Sequence, residues 1–239
     1  MRVVCFRYYG KYGHFLRAEA NANGVTYPFP PRTVLLGLIG AVLGLDKDEP
    51  QIRLAEARIA VTGVRPHAFW HKTNVRKDPP APLPYVVKAR DKGTSSEQRN
   101  FRFPQEWLWK PDYRVWAALP GDAHAQFVAR LREERWHYTP TLGLAFLFAH
   151  LELIAEFEAE RLPEGSYSIA TLTPHDDNKL DMTATTAVNL GLVSLRMPAA
   201  ATADRVFTHK AYWFEHKGRP FPVRTRDAWL CKSDRVVFL

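Results

Sequence analysis

His71 with Lys72, His209 with Lys210 and His216 with Lys217 each set an imidazole beside an ammonium. Together with one of nine tyrosines, such groups are the base, cation and acid that metal-independent RNA cleavage needs around a scissile phosphate. Adjacency is weak support, because nine histidines among 33 lysines and arginines generate such pairs by composition. Metal chemistry has two candidates. His67 and His71 are spaced i, i+4, which suits zinc when a helix presents both, but prolines flank this stretch. His175, Asp176 and Asp177 stand between turn residues without a partner motif, so a solvated loop is expected. Neither a metal nor a cofactor is predicted, and no phosphate-cradling glycine loop or nucleophile elbow appears.

Holding a polyanion needs less coincidence than cutting one. Phe69, Trp70, His71, Lys72, Asn74, Arg76 and Lys77 interleave rings, cations and an amide within nine positions. Single-stranded RNA is held in this manner, by phosphate contacts and by bases stacked on aromatic or guanidinium planes. Phe69 and Trp70 would equally suit a core. Arg32 and Thr33 form a second candidate. They follow Pro28, Pro30 and Pro31, which hold the approach extended, and precede an apolar run. Thr33 is the expected N-cap of a helix whose free N–H groups and dipole favour an anion beside Arg32. A third candidate is the polar loop 10–26, where Lys11, His14 and Arg17 crowd together.

The elements that must carry these residues follow from periodicity. β-branched and aromatic types predict a strand over 2–9. The run over 34–45 predicts a core helix with Gly37, Gly40 and Gly44 on one face for close packing. A second strand is expected over 58–65, and strand, helix, strand in this span suit half of a ferredoxin-like fold. Residues 66–104 break the regularity. With five prolines between Pro66 and Pro84, they are expected to be an insertion that reaches out to bind, with 86–90 and 99–103 as possible hairpin arms. The core resumes with a strand over 113–119 and a helix over 123–136 capped by Asp122, with Phe127, Val128, Leu131 and Arg135 on one face. Alternation over 151–159 predicts a strand with Leu151, Leu153, Ala155, Phe157 and Ala159 on one side and water-facing glutamates on the other. The expected class is α+β: a core over 1–165 and a smaller β-rich region over 166–239.

Composition sets the outer bounds. The chain has 239 residues, 46% hydrophobic, enough for a substantial core. Cys5 and Cys231 sit in apolar contexts far apart in sequence, which argues against a disulfide framework and suits a reducing, cytoplasmic setting. No export signal or spanning segment is visible, so no membrane partner is expected. The net charge is +8, distributed as +4 over 1–32, +6 over 65–102 and +5 over 205–239 around an acidic remainder. Three basic segments from distant parts of the chain point to one basic face and a polyanion, most often nucleic acid.

GKYGHFLRAEA at 10–20, TYPFPPRTVLLGLIGAVLGLD at 26–46 and PTLGLAFLFAHLEL at 140–153 resemble the CRISPR-associated Cas-five family, in order over roughly 1–160, with a pattern closest to subtype I-B. The resemblance implies a ferredoxin-like, RNA-recognition-like core with an inserted β-hairpin thumb. It implies a subunit of a type I Cascade complex that caps the 5′ handle of the crRNA and contacts the backbone and large subunits, meeting target DNA through the complex. Carried onto this chain, Lys11, His14, Arg32 and Thr33, with Arg17 in the same basic loop, would lie near the handle. Residues 66–104 would be the thumb, with Lys72, Asn74, Arg76 and Lys77 in it, and Leu142 and Gly143 would be the glycine loop near the RNA backbone. Some relatives are themselves metal-independent endoribonucleases that mature the guide precursor. Their Tyr, Lys and His set has no clear match here, so a non-catalytic role is favoured, with a repeat-cleaving nuclease as the alternative and a generic polyanion binder as a third reading.

Overall fold

The computed structural model describes residues 1–20, 23–76, 100–176, 178–187 and 189–239. Four strands form the central antiparallel sheet: β1 (Arg2–Gly10), β3 (Arg58–Gly63), β6 (Asp112–Ala118) and β7 (Ala149–Glu158), in the order β3-β6-β1-β7. A two-residue strand β2 (Tyr12–Gly13) follows β1, and the long hairpin β4 (His67–Arg76) and β5 (Asn100–Trp109) is inserted between β3 and β6. Helices α1 (Arg32–Leu43), α2 (Glu49–Arg53) and α3 (Ala123–Arg132) complete this half. Without the hairpin the order is strand, helix, strand, strand, helix, strand, and both β1 neighbours are antiparallel to it.

The pleat divides the sheet's side chains between two cores. Val4, Phe6, Tyr8, Ile59, Val61, Val115 and Ala117 face the helices and pack with Leu35, Ile39, Val42, Phe127 and Leu131. Phe6 meets Phe127 edge-on with centroids 5.4 Å apart. Burying an aliphatic or Phe side chain of this kind contributes about 1.5–3 kcal/mol. Val3, Cys5, Ala60 and Trp116 point the other way, onto Cys231, Val236 and Phe238. Both cysteines are free and buried in that second cluster, and burial pushes each thiol up to about 12.

After β7 come β8 (Glu160–Arg161), β9 (Gly165–Ile169), β10 (Thr173–Pro174), β11 (Lys179–Leu180), a short helix α4 (Met182–Ala187), β12 (Leu192–Ala201), β13 (Phe207–Glu215), β14 (Phe221–Thr225), β15 (Ala228–Cys231) and β16 (Asp234–Val237). They form three small antiparallel sheets, β10-β13-β12, β11-β14-β9 and β16-β15-β8. Met197, Tyr212 and Phe214 from β12 and β13 join the helix-side core, whereas β15 and β16 cover part of the opposite face. No helix among the described residues is long and apolar enough to cross a membrane.

Four local expectations need correction. Helix α1 starts at Arg32 with Pro31 as N-cap and no side-chain cap bond, so Thr33 is a buried helical residue and not the cap. Proline at 31 supplies the extended backbone that a capping residue would adopt. The glycine stripe dissolves for a similar reason. Gly37 faces open space, Gly40 admits the ring of Pro50 from α2, and Gly44 is the left-handed C-cap at φ 82°. Helix α3 stops at Arg132 and leaves Arg135 outside, and Asp122 precedes it without a capping hydrogen bond. In β7 a bulge at Ile154, where Cys5 pairs with Ala155 but Phe6 with Leu153, switches faces. Leu151 and Leu153 therefore join the helix-side core and Phe157 and Ala159 the other, while Glu156 turns inward to ion pairs with Arg2 (2.6 Å) and Arg132 (2.7 Å).

Candidate nucleic-acid interface

The hairpin is the most prominent feature that the core does not consume. Its arms pair in register from His67 opposite Trp109 to Arg76 opposite Asn100. The arms lie at 67–76 and 100–109; of the expected arms, residues 100–103 open β5, whereas 86–90 and residue 99 lie outside the described residues. β5 is anchored along its other edge. Tyr12 and Gly13 pair with it, the Gly24 N–H donates to the Pro104 carbonyl (2.9 Å), and the Glu106 N–H donates to the Gly24 carbonyl (2.7 Å).

Strand alternation gives the hairpin two unlike faces. On one, Phe69, His71, Trp107 and Trp109 cluster around Tyr12, and the His71 ring stacks on Trp107 at 4.1 Å. On the other, Trp70, Lys72 and Asn74 are exposed, with Arg102 directly opposite Asn74. Trp70 is 55% exposed. Arg76 ends the described part of this arm, and Lys77 lies outside the described residues. A pairing between 67–76 and 100–109 brings Arg102 to the face of Lys72 and Asn74; the period-two spacing of Trp70, Lys72, Asn74 and Arg76 was the available signal.

The loop residues divide sharply. Lys11 is exposed, with its ammonium 5.4 Å from the Tyr12 ring, and its carbonyl accepts from the N–H of Lys110 (2.9 Å). Arg17 is partly exposed over the Tyr27 ring at 5.4 Å. His14, by contrast, is 2% exposed. Its Nδ1 is 2.8 Å from the Glu106 carbonyl, which can only accept, so Nδ1 carries the proton, and burial lowers its pKa and keeps the ring neutral.

Arg32 does not stand at an open helix entrance. Its guanidinium donates to the carbonyls of Ala55 (2.7 Å), Ala57 (2.8 Å) and Ala199 (3.2 Å), tying α1 to the segment before β3 and to β12. Leu142 is fully buried. Gly143, at φ +97°, lies so close to the His14 carbonyl that a Cβ could not be accommodated, and the His14 N–H donates to the Leu142 carbonyl (2.9 Å). The close approach that requires this glycine is therefore to the chain's own backbone. His14, Thr33 and Leu142 are thus buried in the scaffold and Arg32 is engaged by backbone carbonyls, whereas Lys11, Arg17, Lys72, Asn74 and Gly143 reach the surface.

A second cationic surface was missed in the sequence. On the helix-free face of the sheet, an open groove of about 770 Å³ runs between the hairpin base and the C-terminal strands. Arg7 and Arg114 line it but are paired with Asp112 (2.7 Å) and Asp234 (3.3 Å). Arg65, His67 and Lys110 also line it, exposed and without an acidic partner among the described residues, beside the half-exposed ring of Trp109. These side chains come from the two ends of the hairpin and become neighbours only once its arms pair.

The adjacent His and Lys pairs do not converge. His71 and Lys72 point to opposite hairpin faces, the His209 Nε2 is buried, Lys210 pairs with Asp176 (2.7 Å), and His216 lies 3.0 Å from the Gly191 carbonyl. His175 stacks on Trp213 at 3.8 Å. Among the described residues no three His, Cys, Asp or Glu side chains gather as metal ligands.

The sequence profile of the family described as CRISPR-associated protein (Cas_Cas5) matches residues 3–179, most of the chain, including the central sheet except Arg2, and the hairpin. The chain belongs to the Cas5 family. Two solved structures carry the same fold. A chain of a CRISPR RNA-guided surveillance complex superposes with a TM-score of 0.56 at 16% identity, over 92% of this chain and 91% of that one. A CRISPR protein from Archaeoglobus fulgidus gives 0.55 at 13% identity, over 100% and 99%. No curated protein matches. Within the Cas5 frame, the basic hairpin face and the basic groove are features of this chain's own residues.

Proposed function

We propose that this Cas5 protein is a non-catalytic, RNA-binding subunit of a type I CRISPR surveillance complex, with the subtype I-B likeness of its motifs as part of that reading. It holds the 5′ handle of the crRNA, contacts the backbone and large subunits, and meets target DNA through the complex. The six-element core is ferredoxin-like, a reading supported by the strand order β3-β6-β1-β7, and the hairpin is its thumb. One observation carries the functional reading. The hairpin presents Lys72, Asn74 and Arg102 on a face that, among the described residues, carries no acidic side chain except Glu106, whose carboxylate accepts from the Thr26 N–H (3.0 Å) and is turned to the loop. Phosphate contacts on such a face position an RNA strand, and base contacts specify it.

Fluorescence anisotropy with a repeat-derived handle RNA across a salt series tests this. Affinity should fall steeply with salt, and Lys72→Ala should reduce the log–log slope by about 0.7, the share of one phosphate contact on a single strand. A flat salt response would overturn the reading. Incubation with repeat RNA in EDTA should leave the RNA intact; products ending in a 2′,3′-cyclic phosphate would instead establish the nuclease.

A further inference from the structure

At the foot of the hairpin's cationic face lies a hollow of about 320 Å³ that the preceding reading does not use. Ala68, Glu106 and Leu108 of the hairpin form one wall and Ser194 of β12 the other, with Arg17 and Arg65 opening into it. Arg65 also lines the larger groove, so the short link between β3 and β4 forms the ridge between the two. Small-ligand pockets begin at about 300 Å³, enough for one nucleotide and too little for a folded element.

The hairpin register places Trp70 directly opposite Glu106 and one step outward from Ala68 on the same face. Its indole is therefore the next large side chain above the hollow. Among the described residues Trp70 has no ring contact and no hydrogen bond, and it is 55% exposed. The other tryptophans of the region are engaged: Trp107 with His71 and Tyr12, Trp109 with Tyr12 and Phe69, and Trp213 with His175. A free indole bordered by Lys72 and by two arginines has the parts of a nucleotide site: a plane for the base and cations for the phosphates on either side.

We infer that Trp70 and this hollow form a single-nucleotide site, in which one base of a single-stranded RNA turns out of the strand and stacks on Trp70. Arg17 and Arg65 meet the flanking phosphates, and Ala68 and Leu108 supply an apolar floor under the ribose. The inference rests on the RNA-binding reading above and deepens it by naming where a base, and not just a phosphate, is held.

A double-mutant cycle tests it on the full chain with a set of handle RNAs, each carrying one abasic nucleotide. Wild type should bind the intact RNA and lose about 5- to 150-fold at one abasic position. Trp70→Ala should lose as much on intact RNA, be insensitive to that abasic position, and keep the wild-type salt slope; Trp70→Phe should restore most of the affinity. Arg65→Ala should instead lower the slope. If Trp70→Ala binds intact RNA as wild type does, or keeps full sensitivity at every abasic position, the nucleotide site is overturned while RNA binding stands. If wild type binds no RNA, the underlying reading fails with it.

Discussion

Glu215 is a buried carboxylate held by its own turn. Its side chain is fully buried, and its oxygens accept from the guanidinium of Arg219 (2.9 Å) and from the N–H groups of Lys217 (2.8 Å), Arg219 (3.0 Å) and Gly191 (3.3 Å). Burial alone would raise its pKa, but the hydrogen bonds from Arg219, Lys217 and Gly191 outweigh it and bring the value down to about 2. Because the folded value lies below the ordinary 4.5, the stabilisation is complete above that ordinary value and is lost as pH falls through about 2. It is worth on the order of 2–3 kcal/mol. Urea melts between pH 6 and pH 3 should therefore show stability falling toward acid, and Glu215→Gln should be less stable at pH 6 with a flatter pH profile. An unchanged profile would remove Glu215 as its source. No sequence pattern announced this residue: the donors at 217 and 219 depend on the turn that follows it, and the Gly191 N–H arrives only when β12 and β13 pair.

At the scale of elements, the entrance of α1 is a junction between three parts of the chain. Arg32 reaches the carbonyls before β3 and on β12, which have no other side-chain donor among the described residues. Arg32→Ala should destabilise the fold by about 1–3 kcal/mol in urea unfolding while leaving handle affinity near wild type, the reverse of what a phosphate ligand would do. Arg32→Lys should recover little, because an ammonium cannot match the guanidinium fork. The proline-led helix itself was legible from sequence, as were β1, β3, β6 and the existence of β7, because each has a strong period or clear punctuation. The role of its first residue was not. An arginine at a helix N-terminus looks the same whether its donors meet phosphate or backbone, and the deciding acceptor, Ala199, is 167 positions away. The hairpin was half legible: an insertion was evident and the arm expected at 99–103 falls at the start of β5, but prolines and charge drew the other arm away from the aromatic-rich 67–76 that pairs with it. In β7 a single bulge defeated an otherwise clean alternation.

Across the whole molecule, the two sequence regions expected as core and appendage share their interior. Met197, Tyr212 and Phe214 complete the helix-side core, and Cys231, Val236 and Phe238 cover Val3, Cys5 and Trp116 on the other. A fragment of residues 1–165 should accordingly bind a hydrophobic dye and lose near-ultraviolet circular dichroism while keeping much of its secondary structure. A sharp cooperative melt of that fragment would establish the first region as an independent domain. The basic groove and the nucleotide hollow are likewise joint constructions, each with walls from both regions, so neither was visible in any contiguous motif.

The cover that β15 and β16 lay over β1 also fixes an order of events during synthesis. Val3 and Cys5 emerge long before their partners Val236 and Phe238, and the Leu239 N–H donates back to the Ile59 carbonyl (2.8 Å). Contacts of such sequence separation close late and slow folding. Until they close, a nascent chain carries an uncovered apolar strip of Val3, Cys5, Ala60 and Trp116, the surface that chaperones retain and that aggregation exploits. Expression yield should therefore respond more to changes at residues 228–238 than their small share of the core suggests.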